Sequence, residues 1–218
     1  MSKNYSLSFD YLNMDLLKGA TLAGKYGMPM LRQSKATTTE AIPFHDSYKG
    51  KGKGKWVHFY IHDSHFNCIW NNPNRYLEML KSFKGVISTD FSLYIDTPFG
   101  MQIWNTLRNR ILAYWMQQEG IEVIPNVRWG KEDTYEFCFD GIPQGGTVAI
   151  GTNGCIQDKE DRFDFKYGLA KMLEDIKPQT VIVYGTMPND IFDEHLNKGI
   201  EFINIKHQFI TTRKGGDS

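Results

Sequence analysis

Five short polar runs stand out because each follows a stretch rich in β-branched and aromatic residues. His62-Asp63-Ser64-His65 closes the stretch at 56–62 (WVHFYIH), and the run at 89–96, which holds Asp90 and Asp96, follows 85–88 (GVIS). Asn126-Val127-Arg128-Trp129-Gly130 closes 121–127 (IEVIPNV). Gly151-Thr152-Asn153-Gly154-Cys155 follows 147–150 (TVAI), and Gly185-Thr186 follows 180–184 (TVIVY). Between them these runs supply carboxylates for acid–base work, a guanidinium fork for a phosphate or carboxylate, an indole for stacking, amides, and one thiol. The opposite ends of the same stretches begin with ordinary turn material: Lys84, Glu119, Gly145-Gly146 and Lys177-Pro178.

Each candidate has a plain structural reading beside the chemical one. Asp90 and Asp96 could act as acid and base or hold a hard cation; the structural reading is that Asp96 or Thr97 caps the following helix and Asp90 orders the loop. Asn126 and Arg128 are two apart, so on a strand they share a face while Trp129 turns away. Arg128 then either holds a phosphate bidentately or pairs with a buried Asp. Trp129 either stacks on a ring or closes the sheet edge. In 151–155, Thr152 and Asn153 fit a ligand-binding turn, and Cys155 is either a nucleophile needing a nearby base or a buried thiol. In 135–143, Phe137 and Phe139 anchor a loop over the sheet. The alternating Lys-Gly run at 49–55 is either a solvated loop or a phosphate-contacting one; it lacks the spacing of a Walker loop.

The elements that must position these residues follow from periodicity. Strands are expected at 56–62, 85–88, 121–127, 147–150, 180–184 and 201–205, with an edge strand near Met28-Pro29. Helices are expected at 72–83, 98–119, 161–176 and 188–197. The second carries Met101, Trp104, Leu107, Ile111 and Trp115 at spacings of three and four, and Gly120 ends it. Strand and helix alternate throughout, which predicts an α/β fold: a single domain with a mostly parallel sheet, helices on both faces and an N-terminal extension. The pattern leaves undecided whether the sheet stays open or curls toward a barrel; about six strand–helix units are too few for an ordinary eight-fold barrel, and an open, doubly wound sheet is the preferred form. The expected divisions are an irregular extension at 1–50, the α/β domain at 51–207 and a mobile tail at 208–218. In such folds ligands bind beyond the carboxyl ends of the strands, where the polar runs lie.

Composition narrows the function classes. The chain has 218 residues, 41% of them hydrophobic, with Lys+Arg 25 balancing Asp+Glu 25. That suffices for one well-buried core and argues against a surface built for duplex DNA, though a local basic patch is compatible with it. Three widely spaced cysteines, Cys68, Cys138 and Cys155, offer no CxxC or His/Cys cluster, so no structural zinc site is expected, and their sparse use fits a reducing cytoplasm. No signal-type or membrane-spanning segment is read, so no membrane partner is expected.

Several motifs resemble those of a known family. IPFHD at 42–46, FYI at 59–61, IWNNPNRYLEML at 69–80, GVISTDFSLY at 85–94, QIWNTLRNR at 102–110, IPNVRWG at 124–130, YEFCFDGIP at 135–143 and IVYG at 182–185 are similar to the domain-of-unknown-function family numbered 4417. That family is met in phages, prophages and integrative elements, and the likeness spans about residues 24 to 205. It implies a mobile-element protein of bacterial cytoplasm; it carries over no reaction, cofactor or catalytic residue, and the Lys-Gly loop and the tail are not features associated with it.

The resulting expectation is a protein that acts on, or binds, a nucleotide or nucleic-acid-derived phosphate ligand at the strand ends. Asp90 and Cys155 are its candidate catalytic residues. Asn126, Arg128, Trp129, Thr152 and Asn153 are its candidate ligand contacts. The alternative is a non-enzymatic binding protein that sequesters a host signal or inhibits a host defence or replication protein.

Overall fold

In the computed structural model, residues 12–196 and 198–206 are described; the expected tail at 208–218 lies outside them. The N-terminal part holds an antiparallel pair, β1 (Leu22–Ala23) and β2 (Met28–Pro29), where the edge strand was expected. Next comes a strand that periodicity misses, β3 (Ala41–Pro43), and a single helical turn, α1 (Phe44–Ser47). The other strands are β4 (Trp56–His58), β5 (Gly85–Ile87), β6 (Val123–Ile124), β7 (Thr147–Gly151), β8 (Thr180–Tyr184) and β9 (Glu201–Ile205).

These seven strands run in chain order. β3-β4-β5-β6 are parallel neighbours, and so are β7-β8-β9. A parallel bridge between Asn126 and Ala149 joins the two groups. Ala149 donates its N–H to the Pro125 carbonyl at 2.8 Å, and Val127 donates to the Ala149 carbonyl at 2.8 Å. The α/β class and the parallel sheet are as expected. The doubly wound form is not, because its strand order would have to reverse at a switch point.

Side-chain alternation shows what replaces it. Val57, Val86, Val123, Val148, Val181 and Val183 join the cluster that also holds the apolar helix residues. Their neighbours Trp56, Ile87, Ile124, Ala149, Ile182 and Ile205 join a second cluster, made of strand-region residues and Ala36. Helices were expected on both faces; the apolar helix residues pack on one, and on the other the strands face each other. Tyr60, just past β4, stacks on Tyr184 of β8 with ring centroids 4.8 Å apart, although β5, β6 and β7 lie between them in the row. The sheet therefore curls toward a barrel whose edges are β3 and β9.

The helices show where propensity yields to context. The expected helix at 72–83 is broken into α2 (Asn67–Asn71), a 3-10 turn at Pro73–Tyr76, and α3 (Leu77–Lys81). Pro73 has no N–H to continue α2, and it holds Asn72 in an extended conformation at φ −153°, ψ 76°. α4 (Phe99–Gln118) has Ile111 and Trp115 buried, but Trp104 and Leu107 are half-buried and Met101 is exposed. Its first half buries Gln102, Thr106, Asn109 and Arg110 instead. α5 (Tyr135–Cys138) is a single turn anchored by Phe137. α6 (Lys159–Ile176) is capped by the Asp158 carboxylate, which accepts the Asp161 N–H at 2.9 Å, and it buries Phe165, Leu169, Met172, Leu173 and Ile176 as expected. α7 is Asn189–Leu196.

Candidate functional site

The polar runs after β4, β5, β6 and β7 converge on one cleft of about 500 Å3 at the carboxyl ends of the strands. Asp90, Arg128, Trp129, Asn153 and Cys155 line it, together with Tyr60, His62, Ser92, Tyr94 and, from the start of α6, Asp161 and Asp164. Two of the expected residues do not reach it. Asn126 is 2% exposed and lies beneath Asp90. Thr152 is buried and ties β7 to the turn after β8: its N–H donates to the Tyr184 carbonyl at 3.0 Å and its hydroxyl to the Thr186 carbonyl at 2.8 Å.

The floor is a continuous buried network. The Tyr60 hydroxyl donates to Asn126 Oδ1 at 2.9 Å, and Asn126 Nδ2 donates to Asp90 Oδ1 at 2.8 Å. Arg128 donates from Nε to Asp90 Oδ1 and from Nη2 to Asp90 Oδ2, both at 2.6 Å, and from Nη1 to Cys155 Sγ at 3.3 Å. The guanidinium fork is thus spent on a buried carboxylate, and the remaining nitrogen faces the thiol. Burial disfavours the Arg128 charge, but Asp90 and then Cys155 more than offset it and hold its pKa well above the ordinary arginine value. Burial also pushes the Tyr60 hydroxyl well above the ordinary tyrosine range, so it stays a neutral donor to Asn126.

The walls carry a different character. Trp129 lies against α6 at Gly168, where a Cβ would come within 2.0 Å of the indole nitrogen, so only glycine admits this approach. Its ring also packs on Phe165, with centroids 5.1 Å apart. Gly151 makes room for Tyr60 in the same way, since a Cβ there would sit 2.8 Å from the ring. Asp164 Oδ2 is buried and has no hydrogen-bond partner among the described residues. Burial raises the Asp164 pKa above the ordinary carboxylate value, against a smaller opposing effect of Lys131. With Asp90 and Asp161 it gives the cleft three carboxylates against one guanidinium, which is already paired.

α4 holds these loops by side chains that reach backbone groups. Asn109 brackets Phe91, accepting its N–H at 2.9 Å and donating to its carbonyl at 3.1 Å, so Asp90 is fixed from the next residue along. Asn105 donates to the Ser92 carbonyl at 2.7 Å. Arg110 is fully buried and donates to the carbonyls of Asn126, Cys138 and Asp140 at 3.2, 2.5 and 3.1 Å. Burial lowers its pKa to about 10.

Residues 20–206 match the family described as a domain of unknown function (DUF4417). The chain belongs to that family. It is similar to the Gene 1 protein of Mycobacterium phage L5, with 37% identity over 183 residues that cover 82% of this chain and 79% of the relative. It is also similar to the Gene 1 protein of Mycobacterium phage D29, at 34% identity over 183 residues, covering 82% of this chain and 67% of that protein. No solved structure matches it. The phage setting implied by the motifs is therefore shown by the relatives. No helix among the described residues is long and apolar enough to cross a membrane.

Sequence reasoning did not single out Asp161, Asp164, Asn105, Asn109 or Arg110. Asp161, an acid in the first turn of a helix, looks like a dipole partner, and polar residues further along a helix, Asp164 among them, look like a solvated face. The available signal was that the start of α6 follows directly on the loop of Asn153 and Cys155.

Proposed function

We propose that the cleft binds a nucleotide-type ligand, in the cytoplasm of the host cell, with the ring of the ligand inside and its phosphate at the rim. The observation that carries this reading is Asp164, which lines the aromatic-walled cleft and whose buried Oδ2 has no hydrogen-bond partner among the described residues. A buried acceptor without a partner costs free energy until a donor arrives, and the amino edge of a nucleobase is such a donor. Tyr60, Trp129 and Phe165 offer apolar surface for the ring, and the turn of Asn153 and Gly154 offers polar groups to the phosphate. Asp90 and Arg128 position Cys155 and the loop ends rather than contact phosphate, since both Asp90 oxygens are already engaged. Binding without turnover would suit sequestration of a host nucleotide signal; a reaction would draw on Cys155.

The test has two parts. Purified protein is denatured and the released small molecules are identified by mass spectrometry. A panel of nucleosides, nucleotides and inorganic phosphate is then screened by thermal shift. A nucleoside or nucleotide should raise the midpoint while phosphate alone does not, and Asp164→Asn should weaken the best binder by about ten-fold or more, the worth of a charge-assisted hydrogen bond. No shift with any nucleoside or nucleotide, or unchanged affinity in Asp164→Asn, would overturn the reading.

A further inference from the structure

A second concavity of about 650 Å3 lies between the Lys-Gly loop and the turn that joins α2 to α3. Its wall includes Tyr48, Lys53, Cys68, Arg75, Tyr76 and Phe83, and among the described residues it contains no carboxylate. Lys53 and Arg75 are exposed and have no carboxylate partner among the described residues. Beside them Lys49 and Lys51 share a single carboxylate, Asp46, at 3.7 and 3.9 Å. Asp46 also lies 3.7 Å from His45. The local balance is therefore positive in a chain whose total charge is zero.

The aromatic floor is anchored rather than loose. Tyr48 and Tyr76 both pack edge-on against Phe44, at centroid distances of 5.6 and 5.3 Å, and Phe44 is fully buried. Tyr48 is nevertheless 50% exposed, so it presents ring surface to solvent. Held rings next to unshared cations are the two parts of a site for unpaired nucleotides: a base stacks on the ring and its phosphates meet the cations. A duplex keeps its bases stacked on each other and would leave the rings unused.

We infer that this groove binds single-stranded nucleic acid without strong sequence preference. A base stacks on Tyr48, and phosphates pair with Lys53, with Arg75, whose guanidinium lies over the Tyr76 ring, and with the neighbouring lysines of the loop. The inference stands independently of the ligand assigned to the cleft.

The probe is a fluorescent oligothymidylate of about twelve nucleotides, followed by anisotropy from roughly 50 to 200 mM salt, where each phosphate contact on a single strand contributes a log–log slope of about −0.7. The full chain should bind the oligomer saturably. Lys53→Gln with Arg75→Gln should weaken binding about ten-fold and flatten the slope by roughly 1.4, two contacts' worth. Tyr48→Ala should lose at least about five-fold, while Tyr48→Phe, which keeps the ring, should bind as the parent does. Lys159→Gln with Lys171→Gln removes the same charge elsewhere and should change little. Thermal midpoints of all variants check that each is folded; Lys53→Gln with Arg75→Gln breaks no ion pair and keeps the test open if Tyr48→Ala does not fold. Three results would overturn the inference: no saturable binding, a groove variant no weaker than the control, or a duplex of equal length bound as tightly.

Discussion

The cleft at the strand ends and the groove beside the Lys-Gly loop are built on opposite electrostatic plans. In the cleft the one guanidinium is half of a buried pair with Asp90, itself held by Asn126 and, through Phe91, by Asn109. In the groove the cations stand in solvent and share few partners. Buried charge is expensive and must be matched, so the cleft's polar groups are fixed in number and place. Exposed charge is cheap and adjustable, so the groove contributes little to stability and keeps its cations available. Mutations should therefore separate: those in the buried network of the cleft cost stability, and those of the groove's cations change binding while stability is kept.

The largest effect should come from splitting the buried pair. Asp90→Ala leaves Arg128 largely buried without its carboxylate and removes an acceptor from Asn126, and the expected loss is about 3–5 kcal/mol in chemical unfolding. Replacing both partners with leucine should recover much of that loss, because it removes the stranded charge along with the pair. If Asp90→Ala unfolds at the parent's denaturant midpoint, the cleft is not the rigid partner in this comparison.

Next in size is Asn109→Ala. It removes two hydrogen bonds to a buried backbone segment, and the cost should be about 2–3 kcal/mol. The variant also frees the loop carrying Asp90 and Ser92, so ligand affinity in the cleft should fall while oligonucleotide binding in the groove is kept. Equal loss at both places would mean that Asn109 supports the whole fold and not one loop.

The difference between the regions also explains what could be read from the chain. β8 and β9 lie where they were expected: TVIVY is wholly β-branched and aromatic, and EFINI carries Phe202, Ile203 and Ile205 in five residues, a composition that favours strand. β3 was not seen, since three residues ending in Pro43 carry no period. The convergence of Asp90, Arg128, Asn153 and Cys155 was legible from the rule about strand ends, which needs only strand direction. That Arg128 pairs with Asp90 was one of two open readings, and only the register of β5 against β6 brings the side chains within 2.6 Å. Arg110 was illegible: a side chain that satisfies three backbone carbonyls leaves no partner in the sequence to recognise. Whether the sheet curls was left open between two forms, because a strand buried on both sides looks the same against helices or against other strands.

A third effect, smaller at any one pH, tests the interior face. Burial raises the Tyr184 hydroxyl to about 12, from an ordinary value near 10. Below about pH 10 both folded and unfolded chains keep the proton, so the group contributes no pH dependence. Between about 10 and 12 the unfolded chain releases it first and binds fewer protons, so stability falls with rising pH. The slope for this one group is at most about 1.4 kcal/mol per pH unit. Unfolding midpoints measured across that range should fall less steeply in Tyr184→Phe than in the parent. Identical slopes would place Tyr184 in contact with water and argue against a closed inner face.

The smallest effect belongs to the loop. Lys55 pairs with Glu40 at 2.5 Å, but both side chains are exposed to solvent, and pairs of that kind contribute little to stability. Lys51 shares Asp46 with Lys49 and His45, so removing it relieves crowding as much as it breaks a contact. Lys53 has no ion pair to lose among the described residues. Converting Lys51, Lys53 and Lys55 together to Gln should therefore move stability by less than about 1 kcal/mol, since surface substitutions rarely do more. The glycines between them are the costlier positions: at Gly52, where φ is +68°, a Cβ would meet the Ile42 side chain at 2.8 Å. Gly52→Ala should accordingly destabilise more than the three charge changes combined, by about 1–2 kcal/mol from the positive φ and the clash together. If the triple lysine variant proved the less stable of the two, the loop would be held by its charges, and the contrast between a rigid cleft and an electrostatically free groove would fail.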